Sequence, residues 1–417
     1  MRCRAAITLV GLVSLFACRA PSSELHHERW RAWLDSPGGE LPFELEIRAS
    51  GERLDAFVIN GPERLPVTRV ERDGDRLALF IEHYDSRIDA TLGAEGHRLD
   101  GRWRRTGVGG ATTGLEFHAV AEQGRRFGEA QAAPDAAALA AVAGRWAVDF
   151  AAEDDPAVAV FESGPDGTVR GTFLTTTGDY RYLAGSLDGD RLRLSCFDGA
   201  HAFLFDARLG EDGTLAGDFW SRDTWHDTWT ARKDPTAALP DPFELTRWVG
   251  ERALDELAFP DLDGHPRSLG DPAFGGRARI IEIFGSWCPN CYDATRLFVE
   301  LDREYRGRGL AVLGLAFEMT GDFERDAAQL RLYATHHGIG YPLLVAGTSD
   351  KTAASKAFPL IDRVRSYPTT IFLHGDGRVR AVHQGFAGPA TGPAHHELRQ
   401  RFETLVQELL AEPGSAP

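Results

Sequence analysis

The segment IIEIFGSWCPNC, residues 280–291, places two cysteines directly after a run of apolar residues. The run predicts a buried strand, and the residues from Cys288 onward have the periodicity of a helix. The spacing of Cys288 and Cys291 spans the first helical turn, so the two sulfur atoms come within bonding distance. Unpaired N–H groups at a helix N-terminus stabilise a thiolate. We therefore expect Cys288 to have a depressed pKa and act as the nucleophile, and Cys291 to resolve the mixed disulfide.

The two cysteines have two alternative interpretations, a structural zinc site and a pair of buried thiols. Zinc requires a second pair of Cys or His ligands at a suitable spacing. The pairs His336–His337 and His395–His396 have no such spacing to a second cysteine. The position between a strand and a helix favours a redox-active disulfide, with no metal and no other cofactor.

The chain around the motif alternates between predicted strands and predicted helices. Apolar runs predict strands at 278–284, 310–317, 342–345, 369–374 and 379–383. Helical periodicity covers 288–307, 322–337 and 395–411. This alternation indicates βαβ units in a mixed sheet with helices on both faces. We expect one α/β domain from residue 255 to residue 412.

Several motifs in this region resemble those of the TlpA-like family of extracytoplasmic thiol:disulfide oxidoreductases, which have the thioredoxin fold. They are the lead-in hairpin FPDLDG at 259–264, the strand exit IFGSWC at 283–288, the proline strand YPTTIFL at 367–373 and the turn GDG at 375–377. The resemblance implies that Pro368 is a cis-proline facing the cysteines and that Trp287, Tyr367 and Thr369 contact substrate. The alternative for Pro368 is an ordinary trans proline at the start of an edge strand.

Two acidic residues are candidates for proton transfer. Glu282 lies in an otherwise apolar run, on the opposite face from Ile281 and Ile283. A buried carboxyl group there has a raised pKa and can relay a proton to or from Cys291. The alternative is an acid that reaches solvent at a sheet edge. Glu318 ends a predicted strand, where we expect either a functional acid or a solvated strand terminus.

The sequence also departs from the family pattern near the motif. The family commonly has a proline five residues after the second cysteine, where this chain has Arg296. Asp293 lies close to Cys291. A carboxylate at that position is expected to oppose thiolate formation.

Residues 28–121 and 144–233 read as two copies of one β unit. Arg29-Trp30 recurs as Arg145-Trp146, and the turn 73–77 recurs at 188–192. Alternating apolar and polar residues between glycine-containing turns predict antiparallel hairpins. We expect two all-β domains, each a sandwich or a small barrel. An Ala-rich linker at 122–143 joins the copies, and a Pro-containing linker at 234–254 leads to the α/β domain.

Residues 1–18 read as a signal peptide, with a basic start and an apolar core. The core ends in LFAC, which resembles a bacterial lipobox with Cys18 as the lipidated residue. The alternative is an ordinary cleaved signal in which Cys18 is incidental. Both interpretations place the chain outside the cytoplasm, on the periplasmic side of a bacterial envelope, where disulfide chemistry is permitted.

The composition limits the classes of function. The chain has 417 residues, of which 43% are hydrophobic, so we expect two or three globular domains. Its formal net charge of −16 argues against nucleic acid as a partner, because non-specific binding of nucleic acid needs basic patches that neutralise phosphates. No apolar run is long enough for a polytopic membrane protein.

Together these features predict an extracytoplasmic thiol:disulfide oxidoreductase, and the resemblance to the TlpA-like family implies that it is a reductase. Its partners would be disulfide-containing envelope proteins and an upstream electron donor, with a membrane anchor at Cys18. Two alternatives are a thiol peroxidase of the wider redoxin superfamily, and an envelope protein that binds a ligand or partner through the β repeats.

Overall fold

The structure is a computed structural model that describes residues 28–51, 53–121, 124–128, 135–164, 166–250 and 254–412. The predicted signal peptide 1–18 and the lipidation site Cys18 lie outside the described residues, as do parts of both predicted linkers. None of the helices within the described ranges combines the length and apolar composition that a membrane crossing requires.

The first β unit is a single antiparallel sheet of nine strands. Its strands are β1 (Arg29–Ser36), β2 (Gly39–Ser50), β3 (Arg53–Asn60), β4 (Glu63–Pro66), β5 (Arg69–Asp73), β6 (Arg76–Ile81), β7 (Ser86–Leu92), β8 (Arg98–Thr106) and β9 (Thr112–Val120). Alternation along β1 buries Trp30, Ala32 and Leu34 on one face. The strand order is β4-β3-β2-β1-β9-β8-β7-β6-β5, so the two edge strands are consecutive in the chain but do not pair. We call this open, curved sheet the half-barrel.

The second β unit closes on itself. It follows the short helix α1 (Ala136–Val142) and contains β10 (Gly144–Phe150), β11 (Ala157–Ser163), β12 (Thr168–Thr175), β13 (Gly178–Asp179), β14 (Leu183–Asp188), β15 (Arg191–Phe197), β16 (Ala202–Leu209), β17 (Leu215–Ser221) and β18 (Trp225–Lys233). Pairing of β11 with β12, from Ser163↔Val169 to Val158↔Leu174, completes a ring of eight strands, and β13 extends one end of β12. We call this sheet the closed barrel.

The expectation of a sandwich is therefore wrong for both units, because each is one sheet. The small barrel is correct for the second unit, and the first forms only part of one. The repeat landmarks occupy equivalent places in the two sheets. Trp30 and Trp146 are buried on the first strand of each. The matching turns use Gly74 and Gly189 at φ angles of 62° and 61°, a left-handed conformation that glycine adopts without steric cost.

Residues 254–412 form the α/β unit, which we call the redox domain. Its elements are β19 (Ala258–Pro260), β20 (Pro266–Ser268), β21 (Ala278–Phe284), α2 (Pro289–Tyr305), β22 (Leu310–Glu318), α3 (Phe323–His337), β23 (Leu343–Thr348), α4 (Lys351–Ala357), β24 (Thr369–His374), β25 (Val379–Gln384) and α5 (Pro393–Ala411). The central sheet has the order β23-β22-β21-β24-β25. Strands β21, β22 and β23 are parallel, and β24 and β25 run antiparallel to their neighbours. This is the mixed sheet that the sequence predicts.

The open side of the half-barrel is filled by the rest of the molecule. Phe197 of the closed barrel and Tyr292 of α2 belong to the same buried apolar cluster as the half-barrel interior. Phe197 lies 4.6 Å from Phe43, between ring centroids. Asn60, which is fully buried, donates to the Phe197 carbonyl oxygen at 2.7 Å and accepts from its N–H at 3.2 Å. The three units therefore share one continuous interior at the start of α2.

Candidate active site

The two cysteines occupy the junction between β21 and α2. Cys288 is the N-cap residue of α2, and Pro289 takes the first helical position, where a missing N–H costs no hydrogen bond. The Cys288 sulfur accepts a hydrogen bond from the Cys291 N–H at 3.4 Å, and its thiol donates to the Tyr367 carbonyl oxygen at 3.4 Å. Both cysteines are present as free thiols. Cys288 is 7% exposed and Cys291 is fully buried.

The surroundings shift the pKa values of the two thiols in opposite directions. Burial opposes ionisation of Cys288, but hydrogen bonds from Cys291 and from the Asn290 N–H, together with the Arg181 guanidinium, lower its pKa below the ordinary value. Burial raises the pKa of Cys291 well above its ordinary value, and the neighbouring Cys288 and Glu282 raise it further. Of the two thiols, Cys288 is therefore the more readily ionised.

Glu282 lies on β21 and is fully buried, so it does not reach solvent at a sheet edge. Neither of its carboxyl oxygens has a hydrogen-bond partner among the described residues. Burial raises its pKa well above the ordinary value, the Cys288 charge adds to the rise, and the Thr295 hydroxyl partly offsets it. The structure therefore places a buried carboxyl group, offset only in part by Thr295, where the charge on Cys288 acts on it.

Glu318, at the end of β22, is also buried, so a solvated strand terminus is the wrong expectation. Its carboxylate accepts hydrogen bonds from the Ser286 N–H at 2.9 Å and from the Ser286 hydroxyl at 2.7 Å. Burial outweighs these bonds and raises its pKa to about 7. Glu318 thus supports the segment that leads into Trp287 and Cys288, and its charge changes near neutral pH.

The Tyr367–Pro368 peptide bond is cis, and the Pro368 carbonyl oxygen accepts a hydrogen bond from the Gly385 N–H at 2.9 Å. Tyr367 packs edge-on against Trp287, with ring centroids 5.4 Å apart. Thr369 differs from the other predicted substrate contacts. Its side chain is fully buried and its hydroxyl donates to the Ser366 carbonyl oxygen at 2.9 Å. Thr369 therefore stabilises the segment around Pro368 and is not exposed to a substrate.

Residues of the closed barrel also contact the segment that carries Cys288 and Cys291, and no sequence pattern predicts these contacts. The Asn290 side-chain amide donates to the Asp179 carbonyl oxygen at 3.4 Å. A Cβ atom on Gly178 would lie 2.1 Å from the Asn290 amide nitrogen, so only glycine allows this approach. Arg181 forms an ion pair with Asp293, two residues after Cys291. No sequence motif marks these barrel residues, which lie more than 100 positions before their partners.

Within the described ranges, one set of side chains brings three potential metal ligands within 4.8 Å of one another, namely Asp261, Asp263 and His265. This set lies in the turn between β19 and β20, not at the cysteines. The Asp261 carboxylate already accepts the backbone N–H groups of Asp263 and His265 at 3.0 Å each. Turn formation accounts for the cluster without an ion.

No protein-family model matches the chain. It is similar to the thioredoxin-like protein YneN of Bacillus subtilis, with 27% identity over 136 residues, covering 33% of this chain and 71% of that protein. It is also similar to the thiol-disulfide oxidoreductase ResA of Halalkalibacterium halodurans, with 20% identity over 161 residues, covering 38% of this chain and 77% of that protein.

Among solved structures, a thiol:disulfide interchange protein from Chlorobium tepidum matches 42% of this chain and all of its own, at 22% identity and a TM-score of 0.29. A secreted disulfide oxidoreductase from Mycobacterium tuberculosis matches 36% of this chain and 95% of its own, at 16% identity and a TM-score of 0.27. The curated relatives support a thioredoxin-like thiol–disulfide redox function over a part of the chain.

Proposed function

We propose that this protein is an extracytoplasmic thiol:disulfide oxidoreductase that uses the Cys288–Cys291 pair to reduce disulfides in envelope proteins. The observation that carries the proposal is the opposite pKa shift of two thiols in one helical turn. The lowered pKa increases the share of Cys288 that is present as the nucleophilic thiolate, and the raised pKa favours the protonated form of Cys291.

In the first step, the Cys288 thiolate attacks one sulfur of the partner's disulfide and the other sulfur leaves as a thiolate. Cys291 then gives up its proton and attacks the Cys288 sulfur. The Cys288–Cys291 disulfide forms, and the second partner thiolate leaves. Two electrons pass from the dithiol to the partner. An upstream dithiol donor then restores the reduced pair.

Glu282 is the proposed acceptor of the Cys291 proton. The charge on Cys288 contributes to the raised pKa of Glu282. Once Cys288 is part of a neutral mixed disulfide, that contribution disappears and the Glu282 pKa falls. Burial still raises the Glu282 pKa at that stage, but loss of the Cys288 charge makes Glu282 easier to ionise, and thus a better proton acceptor, when Cys291 must lose its proton.

Trp287 and Tyr367 are the proposed substrate contacts, because the Tyr367 carbonyl oxygen accepts from the Cys288 thiol and Trp287, which precedes Cys288, packs against the Tyr367 ring. The location rests on residues 1–18, which have the pattern of a signal peptide, and on the LFAC motif, which favours a lipid anchor at Cys18. A reducing direction is proposed from the resemblance to the TlpA-like family.

The test is to equilibrate the full chain in thiol–disulfide buffers of known potential and to map the Cys288–Cys291 disulfide by peptide mass spectrometry. We expect a midpoint near that of thioredoxin, about −270 mV. A midpoint near about −120 mV would make the protein an oxidant and reverse the proposed direction. Absence of this disulfide in every buffer would refute the redox function.

Cysteine variants complete the test. Cys291→Ser should trap a mixed disulfide with a disulfide-bonded peptide, and Cys288→Ser should abolish reaction with it. Cys196→Ala is the matched control, since Cys196 is a fully buried free thiol in the closed barrel. It should react at the native rate.

A further inference from the structure

A buried arginine of the closed barrel reaches the active-site helix. Arg181 lies between β13 and β14 with a φ angle of 60°, in the left-handed region that residues other than glycine seldom adopt. Its side chain is 2% exposed. Non-glycine residues in this conformation occur where the surroundings impose it, often at functional sites.

The guanidinium of Arg181 joins all three units of the molecule. It donates to the Asp293 carboxylate on α2 and to Glu63 of the half-barrel, the latter at 2.7 Å. Its Nε atom lies 3.7 Å from the Asp198 carboxylate of the closed barrel. All four side chains are almost fully buried. Burial alone would lower the pKa of Arg181, but Glu63 and the other carboxylates outweigh it, so the guanidinium stays charged.

Asp179, two residues earlier, also contacts the first turn of α2, through a hydrogen bond with Asn290. Its carboxylate accepts the Arg181 N–H at 2.7 Å and the Gly388 N–H at 2.5 Å. Its carbonyl oxygen accepts the side chain of Asn290. Asp179 and Arg181 together therefore hold Asn290, which directly precedes Cys291, and Asp293, which lies two residues after it. We call these four residues the interdomain clamp.

The interdomain clamp offsets the negative charge of Asp293 near the two cysteines. An unpaired Asp293 carboxylate beside Cys291 would oppose a thiolate on Cys288. In the structure, Arg181 pairs with that carboxylate and also acts directly on the Cys288 charge. Cys288 also interacts electrostatically with four other ionisable groups among the described residues, namely Cys291, Glu282, Lys351 and Tyr367.

We propose that Arg181 is a positioning residue for the redox site, which holds the first turn of α2 and offsets the Asp293 charge so that the Cys288 thiolate is stabilised from another domain. This inference rests on the proposed redox function. It assigns the closed barrel a part in the chemistry, rather than the role of a spacer or tether.

The test measures the rate of Cys288 alkylation by iodoacetamide against pH in the reduced full chain, with peptide mass spectrometry to separate Cys288 from the other cysteines. Arg181→Gln should raise the midpoint pH and slow alkylation at neutral pH by about tenfold, because a nearby opposite charge shifts a pKa by about one unit or more. Asp293→Asn should move the midpoint the opposite way.

The double variant Arg181→Gln/Asp293→Asn should return to within about threefold of the native rate, since both charges are then absent. Arg191→Gln is the matched control. Arg191 lies on β15 of the same barrel and pairs with Asp206, without contact to α2. It should leave the Cys288 profile unchanged.

Single-variant shifts in the same direction, or no shift in either, would overturn the proposal and leave the clamp a purely structural contact. If Arg181→Gln does not fold, Asp293→Asn decides the question alone, because Arg181 keeps Glu63 and Asp198 as partners. Arg181→Lys, which keeps the charge, should then stay close to the native profile. If native Cys288 reacts no faster than Cys196 at any pH, the proposed redox function fails instead.

Discussion

The half-barrel and the closed barrel begin from similar sequence units but complete their interiors differently. The closed barrel pairs β12 with β14 and fills its centre with its own aromatic side chains, such as Phe173 stacked on Phe205 at 4.5 Å. In the half-barrel the corresponding strands β3 and β5 do not pair, and its interior receives Phe197 and Tyr292 from the neighbouring units. Similar local patterns can thus give one self-sufficient sheet and one that depends on its partners.

The largest expected effect comes from separating the two sheets. A fragment of residues 135–233, which keeps α1, should unfold cooperatively on heating, because its ring of strands and its core, including Leu139 and Val142 of α1, are then internal. A fragment of residues 28–121 should show no cooperative transition and should bind a hydrophobic dye, because its open face has lost its cover. Circular dichroism and dye fluorescence measure both. A cooperative transition in the 28–121 fragment would contradict the comparison.

A smaller effect is expected from single core substitutions. Phe197→Ala and Phe205→Ala each remove a buried aromatic ring and should lower the free energy of unfolding by about 3–5 kcal/mol. Hydrogen exchange should place the loss differently, in the half-barrel for Phe197→Ala and in the closed barrel for Phe205→Ala. If both variants lost amide protection from hydrogen exchange only in the closed barrel, the half-barrel would not depend on Phe197.

The smallest expected effect concerns pH at the junction between the half-barrel and α3. His83 is 3% exposed and stacks on His336, with ring centroids 4.2 Å apart. Burial, and then His336 and His337, lower the pKa of His83 well below its ordinary value. Below about pH 6.5 the unfolded chain binds a proton that folded His83 excludes, so stability falls by about 1.4 kcal/mol per pH unit for this group.

His83→Gln should therefore reduce the slope of unfolding free energy against pH between about 6.5 and 5, as measured by urea denaturation at each pH. His396→Gln is the control, because His396 is an exposed residue of α5. An unchanged slope in His83→Gln would mean that the folded state admits a proton at this junction.

The features that could be predicted from sequence are those encoded by neighbours in the chain. The Cys288–Cys291 spacing, the hairpin turns at Gly74 and Gly189, and the alternation of strands and helices after residue 255 are all local patterns. They specify which elements form and where the cysteines lie in the redox domain.

The features that could not be predicted depend on contacts between distant segments. The closed barrel pairs β12 with β14, from Thr168↔Ser186 to Gly171↔Leu183, whereas the corresponding strands of the half-barrel, β3 and β5, do not pair. Nothing in the alternation of these strands predicts that difference. Glu318 is a buried acid only because the sheet brings Ser286 against it. Arg181 lies 112 positions before Asp293, and nothing in its own segment distinguishes it from the other arginines of the barrel.

The shared core has a consequence for the order in which the chain is made. Synthesis proceeds from the N-terminus at about 5–20 residues per second, and domains fold as they emerge. All nine strands of the half-barrel are complete before Phe197 has been added, and Tyr292 follows later still. The half-barrel therefore keeps an uncovered apolar face until these later segments are in place. The core of the half-barrel is complete only when Tyr292 of α2 packs into it. Correct packing of the helix that carries the two cysteines is therefore coupled to correct folding of the β units before it.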